Sequence, residues 1–413
     1  MRRGKLTVTL LVVALVIAVS SVAGADVGRQ GGGGGTTRGV TDDTITVGGL
    51  GYSAFYDPGA SIGAQARFQR ANDEGELPGG RTIEYVGWRD DGSNPDQNLQ
   101  QGQALVQQEE VFAVVPTITP FLGASDFFVD ERVPFFGWGI AAGFCENPYG
   151  FGWSGCLTPP EATITSNFWG QAMRKYMDGS RGKTAAVIAE DNDSGQAGVT
   201  VIEASAEDAG FDVVYAENPV PPPPAEVGDF TPFANDILAS DDGEAPDVVF
   251  LVLSFSNVTG LSNSLLDLGY GGELTNAVGY DPRLVASFAG ATVFIQFAPF
   301  ESAEEGNAAM QQLIDDVEAF QPGTQLVQAV AAGYFAADMF IEAVKKTGRN
   351  LTVERLLNAA NKRFRWQLED TAGPTRFPGG HTRPTPCGSL VKSDGSSYTI
   401  EVPFECGKVI EIE

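Results

Sequence analysis

Histidine is almost missing from this sequence of 413 residues, in which His381 is the only one. Nucleophilic catalysis needs a base within hydrogen-bond reach of the nucleophile, and a single histidine in a segment rich in glycine and proline is poorly placed for that. Acidic pairs such as Asp90-Asp91 and Asp191/Asp193 could do acid–base chemistry, but helix caps and turns explain them better. The sequence therefore argues against an enzyme, with an exported hydrolase as the catalytic alternative left open.

Basic residues are also scarce, because 26 Lys and Arg stand against 53 Asp and Glu, for a formal net charge of −27. This acidity argues against nucleic acid, whose phosphates would be repelled, and against docking on an anionic membrane. Hydrophobic residues make up 43%, which is typical of a folded chain, and the length favours two or more compact units.

The four cysteines form two local pairs. Their spacing favours disulfides Cys145–Cys156 and Cys387–Cys406, although four cysteines permit three connectivities. A zinc site is the rival interpretation, but the sequence has no CxxC and one histidine. We therefore expect two disulfides, no metal and no cofactor.

The N-terminus has the pattern of a secretory signal peptide, residues 1–25. A basic start precedes an apolar run, Leu6–Val19, of about 14 residues, which is short for a membrane span. Ala23–Ala25 supplies a small-x-small cleavage pattern, with an uncleaved anchor as the alternative. We expect export to the periplasm or to the extracellular face of the cytoplasmic membrane, with residues 26–43 as a flexible Gly-rich leader.

From Thr44 onward, apolar strand-like runs alternate with amphipathic helix-like stretches, which is typical of an α/β fold with mainly parallel sheets. The alternation of strands and helices begins again after the loop that contains Cys145 and Cys156, and this predicts two Rossmann-like lobes. The restart includes a predicted helix at Ile164–Met177 and a strand at Thr184–Ala189. Pro221–Pro224 is interpreted as a stiff surface connector.

Gly49–Ala54 fits the GxGxxA fingerprint of dinucleotide-binding proteins, but that fingerprint requires a helix to start at once, and Asp57-Pro58 delays it. The better interpretation is a loop at a strand end that faces a cleft. Polar and aromatic residues gather at several other predicted strand ends, where parallel sheets place their ligands. The predicted ligand-binding residues are Tyr52, Ser53, Phe55, Tyr56, Thr117, Thr119, Phe121, Trp138, Gly139, Ile140, Asp193, Ser194, Phe255, Ser256, Tyr280 and Asp281.

The order of motifs resembles the leucine/isoleucine/valine-binding family of periplasmic binding proteins, which serve ABC importers. The resemblance spans residues 44–406. It rests on Ile45–Gly51 with the helix at Gly63–Ala66, Thr82–Asp91 with Asn94-Pro95, Ala113–Pro116, Val133–Phe135, Ala185–Ile188 leading to Asp193–Gly195, and Gly373–Phe377 with Gly379–His381.

The resemblance implies a type I periplasmic binding protein with three crossovers between its lobes, and hinge closure around a solute. Lobe one would comprise residues 44–160 plus 291–345, and lobe two 161–290 plus 346–413. The implied function is capture of an amino acid or a related aromatic or apolar compound for the membrane permease of an ABC importer, by a protein expected to be a monomer. A ligand-sensing receptor module of the same fold is the alternative.

The match also has gaps. Family members that bind amino acids offer hydroxyl groups to the ligand carboxylate, but Ile118 and Ala141 stand at those positions here. Asp281 is the nearest candidate to hold an ammonium group. We therefore expect a larger, apolar or aromatic ligand to suit this chain better than a zwitterion.

Overall fold

The computed structural model describes residues 36–159, 161–223 and 225–412. The signal peptide predicted at residues 1–25 and residues 26–35 of the predicted flexible leader lie outside the described residues. The rest of that leader, residues 36–43, is held in place, because Arg38 donates to the carbonyls of Val111 and Glu131. Of the described helices, none is long and apolar enough to cross a membrane.

The first lobe is built on a parallel sheet of five strands in the order β2-β1-β3-β4-β5. β3 is Ala- and Val-rich and buried along its whole length, as expected for a strand covered on both faces. The elements are β1 (Thr44–Gly51), β2 (Thr82–Asp90), β3 (Ala113–Ile118), β4 (Phe135–Gly137) and β5 (Gly150–Gly152), with helices α1 (Ser53–Tyr56), α2 (Gly59–Asp73), α3 (Pro95–Gln107) and α4 (Ser125–Asp130).

The second lobe is built on five parallel strands in the order β11-β10-β9-β7-β8. The elements are β6 (Ile164–Ser166), α5 (Phe168–Tyr176), β7 (Thr184–Glu190), α6 (Asp193–Asp208), β8 (Asp212–Val220), α7 (Thr231–Leu238), β9 (Val248–Val252), α8 (Phe255–Asp267), β10 (Glu273–Asn276) and β11 (Thr292–Ile295). The helix predicted at Ile164–Met177 therefore starts at Phe168, because the preceding residues form a strand.

The last part of the chain contributes to both lobes. Helices α9 (Ala308–Phe320), α10 (Gln328–Thr347) and α11 (Val353–Ala360) and the hairpin of β12 (Phe364–Leu368) and β13 (Ala372–Phe377) join the first lobe. The antiparallel hairpin of β14 (Cys387–Ser393) and β15 (Tyr398–Cys406) extends the second sheet beside β11, and β16 (Val409–Glu411) pairs with β6.

Helices α2 and α10 form the closest helix pair of the first lobe. A Cβ at Gly63 would lie 2.0 Å from the carbonyl oxygen of Val330, so glycine permits this approach. Buried Arg67 on α2 donates to Asp338 on α10 at 2.7 Å, and Trp366 of β12 donates to the same carboxylate at 2.8 Å. The pair thus fixes β12 to the first lobe.

This packing changes two of the expected lobe boundaries. Residues 292–295 were expected in lobe one, but β11 pairs with β10 and β14 and so belongs to the second sheet. Residues 353–377 were expected in lobe two, but α11, β12 and β13 pack against the first lobe through α10. The chain crosses between the two sheets around residues 153–159 and 161–163, 296–299 and 382–386.

Both disulfides form with the predicted pairing. Cys156 lies in the first crossover and Cys387 directly follows the third. These two crossovers are joined by hydrogen bonds, since Cys156 donates its N–H to the carbonyl of Arg383 and Thr385 donates to that of Ser154. The disulfides therefore brace the segments that connect the lobes.

Candidate functional site

A cavity of about 420 Å³ lies between the lobes and continues into the second one. Its interlobe part lies between the strand ends of the first lobe and the start of α8. Its inner part lies within lobe two, between the second sheet and helices α5 and α6. Six apolar side chains define this inner part: Ile164, Trp169, Val201, Ile202, Phe250 and Phe294.

The first lobe contributes an aromatic wall whose members are held by neighbours. Trp138 stacks on Trp153 with ring centroids 5.7 Å apart, and its Nε1 donates to Oε1 of Gln296 in the second crossover at 2.5 Å. The ring of Tyr56 meets Trp138 edge-on at 6.2 Å. Burial raises the pKa of Tyr56 well above its usual range, so its hydroxyl stays protonated.

The two lobes meet over the cavity through aromatic rings. Phe55 of α1 lies 5.7 Å from Phe255 of α8 in an edge-to-face arrangement. Such pairs add roughly 1 kcal/mol beyond the area that they bury. The described conformation is therefore one in which the lobes are closed at this point.

The second lobe contributes polar groups, and Glu190 at the end of β7 is the charged side chain among them. Its Oε1 accepts from the backbone N–H of Ser254 at 2.9 Å and from Nδ2 of Asn257 at 2.8 Å. Asn192 caps α6 by accepting from the N–H of Gly195 and donates weakly to Glu190 at 3.5 Å. The carboxylate is therefore stabilised by N–H donors and lacks a basic partner among the described residues.

Several polar atoms of this lobe have no protein partner in the described part of the chain. The hydroxyls of Ser254 and Thr275 are buried and unbonded. Asn276 accepts through Oδ1 from the N–H groups of Val278 and Gly279, and its Nδ2 donates no hydrogen bond to the described residues. Buried polar groups are normally paired, so these atoms lack a partner that the described residues do not supply.

Helix α6 turns one face to the cavity. The residues on this face are Ser194, Gly195, Gly198, Val201 and Ile202, at helical spacing. A Cβ at Gly198 would lie 2.6 Å from Cγ1 of Val252, so a side chain there would collide with the opposite wall. Glycine at this position therefore permits the close approach of α6 to β9.

Nine of the sixteen predicted ligand-binding residues line the cavity: Tyr52, Phe55, Tyr56, Phe121, Trp138, Ile140, Ser194, Phe255 and Ser256. They share a position directly after a parallel strand or at the start of the following helix. Asp193 begins α6. The ligand-binding role of the whole set stays a prediction.

Four other predicted residues lie beside the cavity wall without forming it. The hydroxyl of Ser53 accepts from Nε1 of Trp88, and Thr117 is buried and donates to the carbonyl of Val114. Thr119 bonds both backbone groups of Phe121. Gly139 packs so tightly that a Cβ would lie 1.7 Å from the carbonyl oxygen of Gly155. Their polar groups are engaged within the protein.

Tyr280 and Asp281 were expected to face the ligand, and the structure places both elsewhere. The hydroxyl of Tyr280 donates to Glu301 at 2.5 Å and accepts from the N–H of Phe300. Asp281 is paired with Arg283, two residues along the chain, through both carboxylate oxygens. An aspartate neutralised in this way is not free to hold a ligand ammonium group.

The sequence-based prediction missed the inner part of the cavity. Glu190 directly follows the strand predicted at Thr184–Ala189, and Gln296 directly follows β11, so both stand at strand ends. Pro221–Pro224 was interpreted as a surface connector, but Pro222 and Pro223 line the cavity. The faces of α5 and α6 carried no signal that distinguishes them from ordinary core.

The groups that could suggest catalysis have structural roles. Gly59–Gly63 fits the GxSxG pattern of hydrolases. However, Ser61 lies within α2, not at the strand-to-helix turn that this motif requires, and its hydroxyl donates to Asp57.

Burial lowers the pKa of His381 to about 4, and its Nε2 is bonded to Asn361 away from the cavity. Asp90 accepts from the N–H groups of Ser53 and Gly92. Within the described ranges, no cluster of acidic, His and Cys side chains could hold a metal.

Comparison with known proteins agrees with this geometry. A family model described as periplasmic binding protein matches residues 44–397. The chain belongs to the periplasmic binding protein family. Members of this family bind solutes and are not enzymes, which agrees with the expectation from the sequence. No curated protein matches the sequence significantly.

Solved structures of this family share the fold at low identity. A possible leucine/isoleucine/valine-binding protein from Rhodopirellula baltica SH 1 is 15% identical, with a TM-score of 0.71 over 87% of this chain and 96% of its own. A solute-binding protein of an ABC transporter from R. palustris, in complex with 4-hydroxybenzoate, is 19% identical, with a TM-score of 0.69 over 88% and 98%. A fatty acid ABC transporter substrate-binding protein from Thermomonospora curvata is 19% identical, with a TM-score of 0.70 over 90% and 95%.

Proposed function

We propose that this periplasmic binding protein captures a small molecule between its lobes, outside the cytoplasmic membrane, and delivers it to the permease of an ABC importer. The observation that carries the proposal is a cavity with walls from both lobes, closed over by Phe55 and Phe255. A ligand that contacts both walls favours the closed state by the free energy of those contacts. The permease can then distinguish loaded from empty protein by shape.

The amino acid expected from the leucine/isoleucine/valine-binding resemblance is the less favoured solute. Thr117 and Thr119 use their hydroxyls internally, and Asp281 is paired with Arg283. One protein of similar fold is described as bound to 4-hydroxybenzoate and another as a fatty acid ABC transporter substrate-binding protein, which supports aromatic or aliphatic solutes for this site. The aromatic wall around Trp138 suits either class.

A ligand screen of the exported chain, residues 26–413, tests this function. A solute that binds only the folded state raises the melting temperature, by an amount that grows with its concentration. Amino acids, aromatic compounds, aliphatic acids, alcohols and amides form the screen, followed by calorimetry on each hit and by recovery of the ligand. We expect one class to bind, to be recovered unchanged, and to reduce the radius of gyration in solution scattering. Failure of every class, or recovery of a chemically altered ligand, would contradict capture.

A further inference from the structure

We infer that the captured solute is an elongated, mainly hydrocarbon molecule whose polar end is neutral, such as a hydroxyl, ester or amide, and not a carboxylate. This inference rests on the proposed function and specifies its ligand. It follows from the shape of the inner part of the cavity, from the charges on its wall and from its unpaired polar atoms.

The shape of the cavity favours a long apolar tail. The inner part extends into lobe two behind the strand ends, where the rings of Trp169 and Phe294 meet edge-on at 4.8 Å. Opposite them lies the face of α6 that carries Gly198, Val201 and Ile202. At about 420 Å³ the whole cavity falls within the range of sites for drug-sized ligands. A compact amino acid would leave this inner part empty.

The charges on the wall disfavour a carboxylate. Neither lysine nor arginine belongs to the described lining, and Glu190 is its charged side chain. A ligand carboxylate buried near Glu190 would face a like charge without a counter-ion, which is costly in a site of low dielectric. The N–H of Ser254, at the start of α8, is bonded to Glu190, and that of Gly195 in α6 is bonded to Asn192. These donors are therefore not free to bind an anion.

The unpaired polar atoms favour a neutral group over an ammonium group. Glu190 already receives three N–H groups, so its charge is stabilised without a ligand cation. Thr275 is fully buried with an unbonded hydroxyl. Asn276 lines the cavity, and its Nδ2 donates no hydrogen bond within the described residues. A hydroxyl can both donate and accept, and an amide group can donate, which matches a ligand hydroxyl, ester or amide.

A matched series of eight-carbon probes tests the polar end: octan-1-ol, octanamide, octanoate and octylamine, by calorimetry on the exported chain at pH 7.5. We expect the alcohol and the amide to bind at least tenfold more tightly than the acid and the amine. From butan-1-ol to octan-1-ol the affinity should rise about fourfold for each methylene group. Equal or tighter binding of octanoate or octylamine would overturn the inference and leave capture intact.

Other outcomes separate the inference from the proposed function. If no probe of the series binds while a compact solute from the general screen does, the inference fails and capture stands. If nothing binds in either experiment, capture itself fails. Each result thus points to one of the two claims.

Substitutions at Glu190 and Gly198 test which residues set this preference for a neutral, elongated ligand. Glu190→Gln keeps an acceptor for Ser254 and Asn257 but removes the charge, so the ratio of octanoate to octan-1-ol affinity should rise at least tenfold. The control, Asp191→Asn, removes the same charge from an exposed neighbour and should leave that ratio unchanged. Gly198→Leu should abolish the gain per methylene, with Gly198→Ala as a smaller step if the leucine variant fails to fold. An unchanged ratio in Glu190→Gln, or an unchanged gain in both Gly198 variants, would contradict the assignment.

Discussion

The two lobes build their shares of the cavity in opposite ways. On the lobe-one side, Trp138 is stacked on Trp153 and hydrogen-bonded to Gln296, and the nearby threonines bond within the protein. On the lobe-two side, the buried hydroxyls of Thr275 and Ser254 have no partner among the described residues, and Gly198 lets α6 pack close to Val252. The polar groups of the first wall are paired within the protein, whereas the second wall contains buried hydroxyls without a partner among the described residues.

This difference separates two tasks of a binding protein. A wall fixed before binding costs no ordering entropy when the solute arrives, and so it adds to affinity. Unpaired groups are costly in the empty protein, and they favour a solute that pairs them over one that does not. Lobe one should therefore set much of the affinity and lobe two most of the specificity.

Replacing one tryptophan in each lobe should have the largest effect. Trp138→Ala removes a buried ring with its stack and hydrogen bond, so we expect the free energy of unfolding to fall by about 3–5 kcal/mol and binding to be lost. Trp169→Ala removes a half-buried ring of the inner part, with an expected loss of about 1–2 kcal/mol and weaker binding of long-chain probes only. Urea unfolding and calorimetry measure both. Equal destabilisation by the two variants would contradict the proposed difference between the walls of lobe one and lobe two.

Acid should weaken lobe one through its histidine. His381 packs on Phe151 of β5 and Phe377 of β13, and burial lowers its pKa to about 4. The unfolded chain takes up this proton near pH 6.5 and the folded chain only near pH 4, so stability is lost as the pH falls between these values. We expect a loss of about 2 kcal/mol between pH 7.5 and 4.5 that His381→Gln does not show.

Urea unfolding at both pH values measures this difference, and hydrogen exchange assigns it to a lobe. Amides of β3–β5 should lose protection at pH 4.5 in the natural protein more than those of β7–β10. Equal pH dependence of the natural protein and His381→Gln would show that other groups account for the acid sensitivity.

The sequence predicted the parts of the site that follow from topology. Tyr52, Phe121 and Trp138 each stand just after a parallel strand, and parallel strands place their carboxyl ends together. Asp281 fails this logic because Arg283, two residues on, folds back onto it, a local pairing that strand position does not reveal. The β12–β13 hairpin was missed because Gly373 and Pro374 interrupt the strand pattern.

The inner part of the cavity could not be predicted from the sequence for a different reason. Val201 and Phe250 have the apolar character of ordinary core residues, and most such residues pack without a void. Whether α6 leaves space beside these side chains depends on how closely it approaches Val252 at Gly198, which is a property of tertiary packing. A local pattern of glycine in a helix does not specify that distance.

The smallest expected effects come from single buried hydroxyls, and they test the two walls directly. Thr275→Val replaces an unbonded hydroxyl by a methyl group of the same shape, so we expect stability to rise by about 1 kcal/mol. Thr119→Val removes a hydroxyl bonded to Phe121 and should lower stability by about 1 kcal/mol. With octan-1-ol, the order reverses: Thr275→Val should bind more weakly, and Thr119→Val should bind like the natural protein. If Thr275→Val is more stable but binds octan-1-ol more weakly, while Thr119→Val is less stable but binds it normally, the unpaired hydroxyl of lobe two serves the solute. Destabilisation by both variants would show that Thr275 has a partner in the free protein.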